Sequence, residues 1–400
     1  MKARMAGPSP AMTGIGSRHS ATRDRAAFTI PKMPPESPHP WKLAFGGFLA
    51  LAAAMGIGRF VYTPILPFMV ESLGLSQSQA GLIASANFAG YLVGALLAAL
   101  AERPATAAFS TVAMLVVTRF LGGVASAFVL VFASSVVLER LAAAGEGRLA
   151  SVHFAGVGAG IALSAILIAG LAGHAGGWRT QWAAAGTLAL LAVPAVARLI
   201  PAQSSARAGA ARATGLSLDG RLLALIAAYG LFGFGYVITA TFLLAIVRGS
   251  SEIRYLEPVV WVIVGLSGIP SVALWTALGR RIGTFAAYAA ACLVEALGVA
   301  ASVLAQNAVG VVIASLFLGG TFIGLTALGL IGARALTSGD QRCVLALMTG
   351  AFGTGQIVGP MLAGVLFDLT GSFTSPSLLA VGALLAAAAL SAGLAVRMRS

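Results

Sequence analysis

Gly56-Ile57-Gly58-Arg59-Phe60 and Gly233-Phe234-Gly235-Tyr236-Val237 are one pattern written twice, 177 residues apart. Both copies lie inside long apolar runs, so the pattern decides the fold: helices repeated as two related halves. The same offset brings Arg103 onto Arg280, each at the end of the next apolar run. Further along, the offset lengthens. Phe120-Leu121-Gly122-Gly123 matches Phe317-Leu318-Gly319-Gly320 at 197, and Gly158 and Gly160 match Gly353 and Gly355 at 195. The halves are parallel repeats. The first lacks about 20 residues between Arg103 and Phe120, the length of one membrane-crossing helix.

The chain of 400 residues is 58% hydrophobic and 9% charged, with a mean hydropathy of +0.94. Soluble domains carry about 25% charged residues, so a chain this poor in charge cannot cover a water-facing surface. Lipid is its main solvent. In lipid the backbone must satisfy itself internally, which selects helices here. In the first half the sequence predicts them over 41–70, 78–101, 105–118, 119–139, 149–173 and 178–200. The second half has 218–247, 256–278, 282–304, 307–334, 341–367 and 376–397. The chain therefore divides into bundles 41–200 and 218–400, joined by a polar, Arg-containing linker over 201–217. Residues 1–40 read as a disordered basic tail without a signal-peptide pattern; the alternative is a translation start nearer Met33.

The third segment is the irregular one. Fourteen residues, 105–118, give a helix of ~21 Å against a hydrocarbon core of ~30 Å. Either it is a short or re-entrant crossing, or it fuses with 119–139. Charge constrains the parity. With an even number of crossings and a cytoplasmic N-terminus, twelve arginines beyond residue 120 face the cytoplasm: 140, 148, 198, 207, 212, 221, 280, 281, 334, 342, 397 and 399. Only Arg179, Arg248 and Arg254 face outward. Losing one crossing would reverse this, against the positive-inside rule. Both termini are therefore expected in the cytoplasm.

The net charge of +13 is scattered between apolar runs rather than gathered into a nucleic-acid patch. Cys292 and Cys343 lack metal-ligand spacing and do not suggest a disulfide. No metal cluster, nucleophile–base set or phosphate loop is present, so neither an enzyme, a metal or cofactor protein nor a nucleotide-driven pump is expected.

Several segments together resemble the major facilitator superfamily, specifically its uncharacterised YbfB/YjiJ-type branch. They are Gly-Ile-Gly-Arg-Phe-Val-Tyr-Thr-Pro (56–64), Ala-Ser-Ala-Asn-Phe-Ala-Gly-Tyr (84–91), Phe-Leu-Gly-Gly-Val-Ala-Ser-Ala-Phe-Val-Leu-Val-Phe-Ala (120–133) and His-Phe-Ala-Gly-Val-Gly (153–158). The second half adds Tyr-Gly-Leu-Phe-Gly-Phe-Gly-Tyr (229–236), Gly-Gly-Thr-Phe-Ile-Gly-Leu-Thr-Ala-Leu-Gly-Leu (319–330) and Met-Thr-Gly-Ala-Phe-Gly-Thr-Gly-Gln (348–356). The superfamily's cytoplasmic Gly/Asp/Arg signature is weak at Ala-Glu-Arg-Pro (101–104) and better at Gly-Arg-Arg-Ile-Gly (279–283). The resemblance implies a twelve-helix, all-α polytopic fold, with helix 3 truncated here. It also implies alternating access around a cavity lined by helices 1, 4, 7 and 10, and a peripheral helix 9.

Arg59 is the leading site residue. A charge deep in a membrane segment costs about 2.5–3.5 kcal/mol on the insertion scale and usually faces a cavity or a partner. An unpaired arginine suits an anion, which its planar fork can bind in bidentate fashion. The alternative is a structural arginine bonded to helix carbonyls or pointing to the outer interface. The repeat pairs Arg59 with Tyr236, and Tyr62, Thr63, Thr239 and Thr241 surround the two positions. Asn87 and Tyr91 share a helix face and line either the cavity edge or a helix interface. Thr321, Thr326 and Gln356 are neutral cavity candidates. His153 and Glu295 are the candidates for proton coupling. Gly156, Gly160, Gly355 and Gly359 have the small-residue spacing of close helix packing. The function expected is secondary active transport of a small organic solute by a monomer, with an anion favoured by Arg59 and proton coupling as an option. The alternative is an exporter of lipophilic or toxic compounds.

Overall fold

The computed structural model describes residues 39–98, 111–173, 177–200, 219–337 and 341–398. The first half opens with α1 (Pro40–Leu51), continues as a π-helical stretch (Ala52–Ile57) and resumes as α2 (Tyr62–Leu73). Then come α3 (Gln77–Ala98), α4 (Thr111–Ala143), α5 (Ala150–Leu171) and α6 (Gly177–Leu199). The second half holds α7 (Gly220–Gly249), α8 (Glu257–Gly268), α9 (Ser271–Ile282), α10 (Thr284–Leu304), α11 (Ala308–Ala335), α12 (Gln341–Thr370) and α13 (Thr374–Arg397). Among the described residues, nine helices are long and apolar enough to cross a membrane. The α8–α9 pair, bent by 43° where Pro270 interrupts the ladder, makes a tenth. The chain is an all-α polytopic integral membrane protein.

Two helices of the second half start on side-chain caps. Asp219 accepts from Leu222 N–H (2.8 Å) at the start of α7, and Asn307 accepts from Gly310 N–H (2.9 Å) at the start of α11. Gly74, at φ +63°, ends α2 and turns the chain directly into α3.

Glycine contacts set the directions. A Cβ on Gly47 would meet His153 of α5 and Val137 of α4, and one on Gly160 of α5 would meet Ala52. The other part of α4 reaches Gly58 and Arg59 through Arg119. So α1 and α5 run together and α4 runs against them. The α2–α3 turn sends α3 back as well, with Tyr62 O–H donating to Ala80 O (2.9 Å). Therefore α3 and α4 lie side by side in the same sense.

A twelve-helix pattern places one more crossing between these two. Residues 99–110, where part of the expected third helix would lie, are outside the described residues. Residues 111–118 are not a separate helix: they are the first turns of a 33-residue α4. Nothing in 111–143 stops it, since the stretch has no proline and the Thr118 hydroxyl bonds back to Met114 O (2.8 Å). Of the two readings of this region, fusion holds for 111–118. Two expected single helices, 41–70 and 256–278, are each broken instead. The tail and the linker, as 1–38 and 201–218, are outside the described residues.

The two ends of the bundle differ in charge. Arg140, Arg148, Arg198, Arg221, Arg280, Arg281, Arg334 and Arg397 lie where helices meet at one end. Arg179, Arg248 and Arg254 lie at the other.

Candidate functional site

The first transmembrane segment breaks at Arg59, and the local sequence explains how. Pro64 has no N–H to offer a carbonyl four residues back. Thr63 N–H then goes to Phe60 O (3.3 Å), leaving Arg59 O open. Gly56 lets α5 approach closely: a Cβ there would lie 2.5 Å from Gly160 Cα. The freed carbonyls are taken by Arg119 of α4, whose Nη1 donates to Gly58 O (3.2 Å) and Nη2 to Arg59 O (2.9 Å). A cation at the carbonyl end of a half-helix also complements the helix dipole. Arg119 is thus the structural arginine that caps the break, its guanidinium beside the rings of Tyr62 (5.0 Å) and Trp182 (5.4 Å).

Arg59 itself points elsewhere. It is 4% exposed, and its Nη2 donates to Gln356 Oε1 of α12 at 2.8 Å. Gln356 Nε2 in turn donates to the Tyr236 hydroxyl of α7. The Arg59 Cζ sits 4.2 Å from the Tyr91 ring, 4.6 Å from Phe88 and 5.7 Å from Phe60. Its Nε has no partner. Neither Arg59 nor Arg119 pairs with a carboxylate among the described residues. Phe60, Tyr236, Trp261 and Phe322 border a void too narrow for a water-sized sphere. The cluster is closed on itself.

Of the residues singled out in the sequence, the structure gathers Arg59, Tyr91, Tyr236 and Gln356 into this cluster. Others turn away. The Tyr62 hydroxyl is spent on Ala80 O, and Asn87 Nδ2 donates to Arg119 O (2.8 Å), an interhelical bond that helps hold the capping arginine. Thr63 Oγ1 donates across to Ala240 O (2.8 Å). Thr239 and Thr241 are buried, the Thr239 hydroxyl without a partner. Thr326 bonds back to Phe322 O in its own helix (2.9 Å). Thr321 donates to Glu295 Oε2 (2.9 Å), and Glu295 Oε1, fully buried, has no partner. His153 packs against Gly47, with Nε2 2.9 Å from Ser134 Oγ, apart from the Arg59 cluster. A Cβ on Gly160 would lie 2.3 Å from Ala52 O, and one on Gly355 2.3 Å from Gly230 O, so these glycines do allow close packing.

At the Arg-poor end a second polar group joins the halves. Arg248 of α7 pairs with Glu257 of α8 and, at 3.0 Å, with Glu71 of α2; Arg254 lies 3.8 Å from Glu71. The Arg248 guanidinium also covers Phe68 (4.3 Å). Nearby, Asp368 of α12 accepts from Gln77 N–H and Ser78 N–H (3.0 Å each), capping α3 from the other half. Cavities of about 260 and 360 Å³ open beside Arg248.

A broken helix beside a buried polar cluster, inside a repeated helical bundle, is the build of a secondary transporter. The family model described as "Uncharacterised MFS-type transporter YbfB" matches residues 51–392, and the chain belongs to this family of the major facilitator superfamily. It is a transporter rather than an enzyme. A search of curated proteins finds no match. Among solved structures, the D-xylose-proton symporter superposes with a TM-score of 0.67 at 14% identity, over 88% of this chain and 96% of that one. A mutant of the nucleoside transporter NupG gives 0.61 at 14% identity, over 89% and 99%. Unmutated NupG gives 0.55 at 14%, over 90% and 98%. At these identities the likeness concerns the fold alone.

Proposed function

We propose that the chain transports a small organic anion by alternating access, with Arg59 as the anchor for the anion. One observation carries this reading: Arg59 is a buried guanidinium without a carboxylate, held where the halves touch by the neutral carboxamide of Gln356. An anion supplies the charge the site lacks, and moving the α12 side away frees the donor it needs. The bundles 41–200 and 218–400 rock about this point, and the Arg-rich end faces the cytoplasm of a bacterial inner membrane. Glu295 carries the coupling proton. It is a buried acid with one unpartnered oxygen, and its other oxygen accepts from Thr321, the residue before Phe322, whereas His153 is wedged among α1, α4 and α5.

The test is uptake into proteoliposomes with and without a pH gradient. The panel holds acetate, lactate, succinate and benzoate, with adenosine and D-xylose as neutral solutes. Wild type is expected to take up a carboxylate, and Arg59→Ala to lose at least about tenfold of it, the effect of one charge-assisted bond. Uptake of only a neutral solute, undiminished in Arg59→Ala, overturns the anion reading and favours an exporter-type apolar cavity. Glu295→Gln is expected to keep solute exchange at equal pH and to lose accumulation driven by the gradient. Gradient-driven accumulation at the wild-type level removes Glu295 from the mechanism.

A further inference from the structure

The rings around Arg59 carry an inference about the body of the solute. Tyr236 stands in a parallel stack, 5.7 Å from Phe322 at 7° and 5.8 Å from Phe352 at 6°. Phe60 meets Phe322 edge-on at 5.6 Å across the halves. The guanidinium of Arg59 therefore ends among flat surfaces. One of its N–H groups goes to Gln356 Oε1, and Nε is unpartnered although buried. A guanidinium offers five N–H donors in one plane, and a carboxylate takes two of them side by side. Gln356 Oε1 occupies the place of one such carboxylate oxygen. The same carboxamide donates through Nε2 to the Tyr236 hydroxyl and so adjoins the stacked rings.

The closed cluster thus holds its own imitation of an occupant: an oxygen acceptor on Arg59 followed by a planar ring. The second arginine does not enlarge the anionic demand. Arg119 spends both terminal nitrogens on the Gly58 and Arg59 carbonyls, so a second carboxylate on the solute would find no cation among the described residues here.

We propose that the site takes a planar aromatic monocarboxylate, with its carboxylate on Arg59 and its ring among Phe60, Tyr236, Phe322 and Phe352. This rests on the reading of Arg59 as the anion anchor. When the halves part, the ligand ring replaces the Phe60–Phe322 contact and the ligand oxygens replace Gln356 Oε1. Aromatic faces favour offset or edge-on partners over an equally apolar saturated ring.

The experiment is calorimetric titration of the full-length chain in lipid nanodiscs with benzoate, cyclohexanecarboxylate, phthalate and benzamide. Benzoate is expected to bind about fivefold or more tighter than cyclohexanecarboxylate, the size of one aromatic pair. Phthalate and benzamide are expected to bind more weakly than benzoate. Phe322→Leu, shown monodisperse, brings the benzoate and cyclohexanecarboxylate affinities together. Arg59→Lys weakens both carboxylates, because an ammonium cannot reproduce the planar fork. If the two monocarboxylates bind equally to wild type, the aromatic class is overturned while the anion reading survives. If benzamide binds as tightly as benzoate, or Arg59→Lys and Arg59→Ala leave benzoate binding unchanged, the anion reading falls with it. A folded wild type that binds no benzoate also overturns the proposal.

Discussion

The glycine pattern at 56–60 and its copy at 233–237 sit in helices that behave differently. Around Arg59 the helix passes through a π-helical stretch, opens, and restarts at Tyr62. Around Tyr236 it runs for 30 residues without a break. The glycines are common to both and do not cause the difference. Prolines do: Pro64 and Pro67 follow Arg59, and the repeat places Thr241 and Leu244 at the matching positions of α7. The capping cation follows the same asymmetry. Arg119 matches Leu316, which is 43% exposed on the outside of α11 and has no open carbonyl to serve. The second half carries its own break elsewhere, at Pro270, where the first half has Val93 in an unbroken α3. One half supplies an opened backbone and a fixed charge; the other supplies, at this level, a straight helix, a phenol and a carboxamide.

Removing Arg119 should break that contrast most severely. Arg119→Ala leaves two carbonyls open in a membrane interior. Hydrogen bonds to charged groups are worth about 1.5–3 kcal/mol each, so a loss of about 3 kcal/mol is expected in a denaturant titration of the protein in detergent. Leu316→Ala, at the matching position, should cost about 1 kcal/mol or less, since its side chain is half outside the core. Equal costs at the two positions would show that the break supports itself without the cap.

Pro64→Thr makes the first half copy the second. Residue 64 then has an N–H for Phe60 O, and Thr63 N–H can return to Arg59 O. The cap becomes partly redundant. In the Pro64→Thr background, Arg119→Ala should cost about 1–2 kcal/mol less than in wild type, a coupling of the size seen for residues in one network. Anion uptake should fall, because Arg59 moves with its backbone. Strict additivity of the two changes would mean that Arg119 does not depend on the proline-opened backbone.

The contrast also separates what the residues announce from what only packing reveals. The repeat is visible because glycines needed for close backbone approach recur at both sites. Arg59 is visible because a charge inside an apolar run is costly. The break is hidden: proline is tolerated in membrane helices, and the carbonyls that Pro64 frees are recognised only once Arg119 is placed against them. Arg119 is hidden in turn by the missing segment, which puts it at the edge of an expected helix rather than inside a continuous α4. Repeat symmetry pairs Arg59 with Tyr236 but cannot place Gln356 between them, 297 residues away from Arg59 in the chain. Tyr62 and Asn87 have the right spacing and the wrong direction, since nearer backbone carbonyls claim their donors.

The smallest effect is expected at the Arg-poor end, where Glu71 of α2 meets Arg248 of α7. Glu71 is 56% exposed and Arg248 13%, and Arg248 keeps Glu257 when Glu71 is neutralised. An exposed ion pair contributes about 0.2–1 kcal/mol, so Glu71→Gln should shift the opening of this end by no more than about fivefold. A cysteine replacing Ala245, which borders the cavity there, in a chain with Cys292→Ser and Cys343→Ser, reports that opening as its rate of thiol labelling. The rate should rise in Glu71→Gln, and the gain should shrink in about 1 M salt, where screening extends only ~3 Å. A cysteine at Ala144, in the connection between α4 and α5 at the Arg-rich end, should be unaffected. Unchanged labelling at residue 245 would mean that neutral contacts close this end. The close approaches of Gly81 to Pro360 and of Gly364 to Gln77, with the Asp368 cap on α3, would then hold it shut, and the halves would differ in charge at the centre alone.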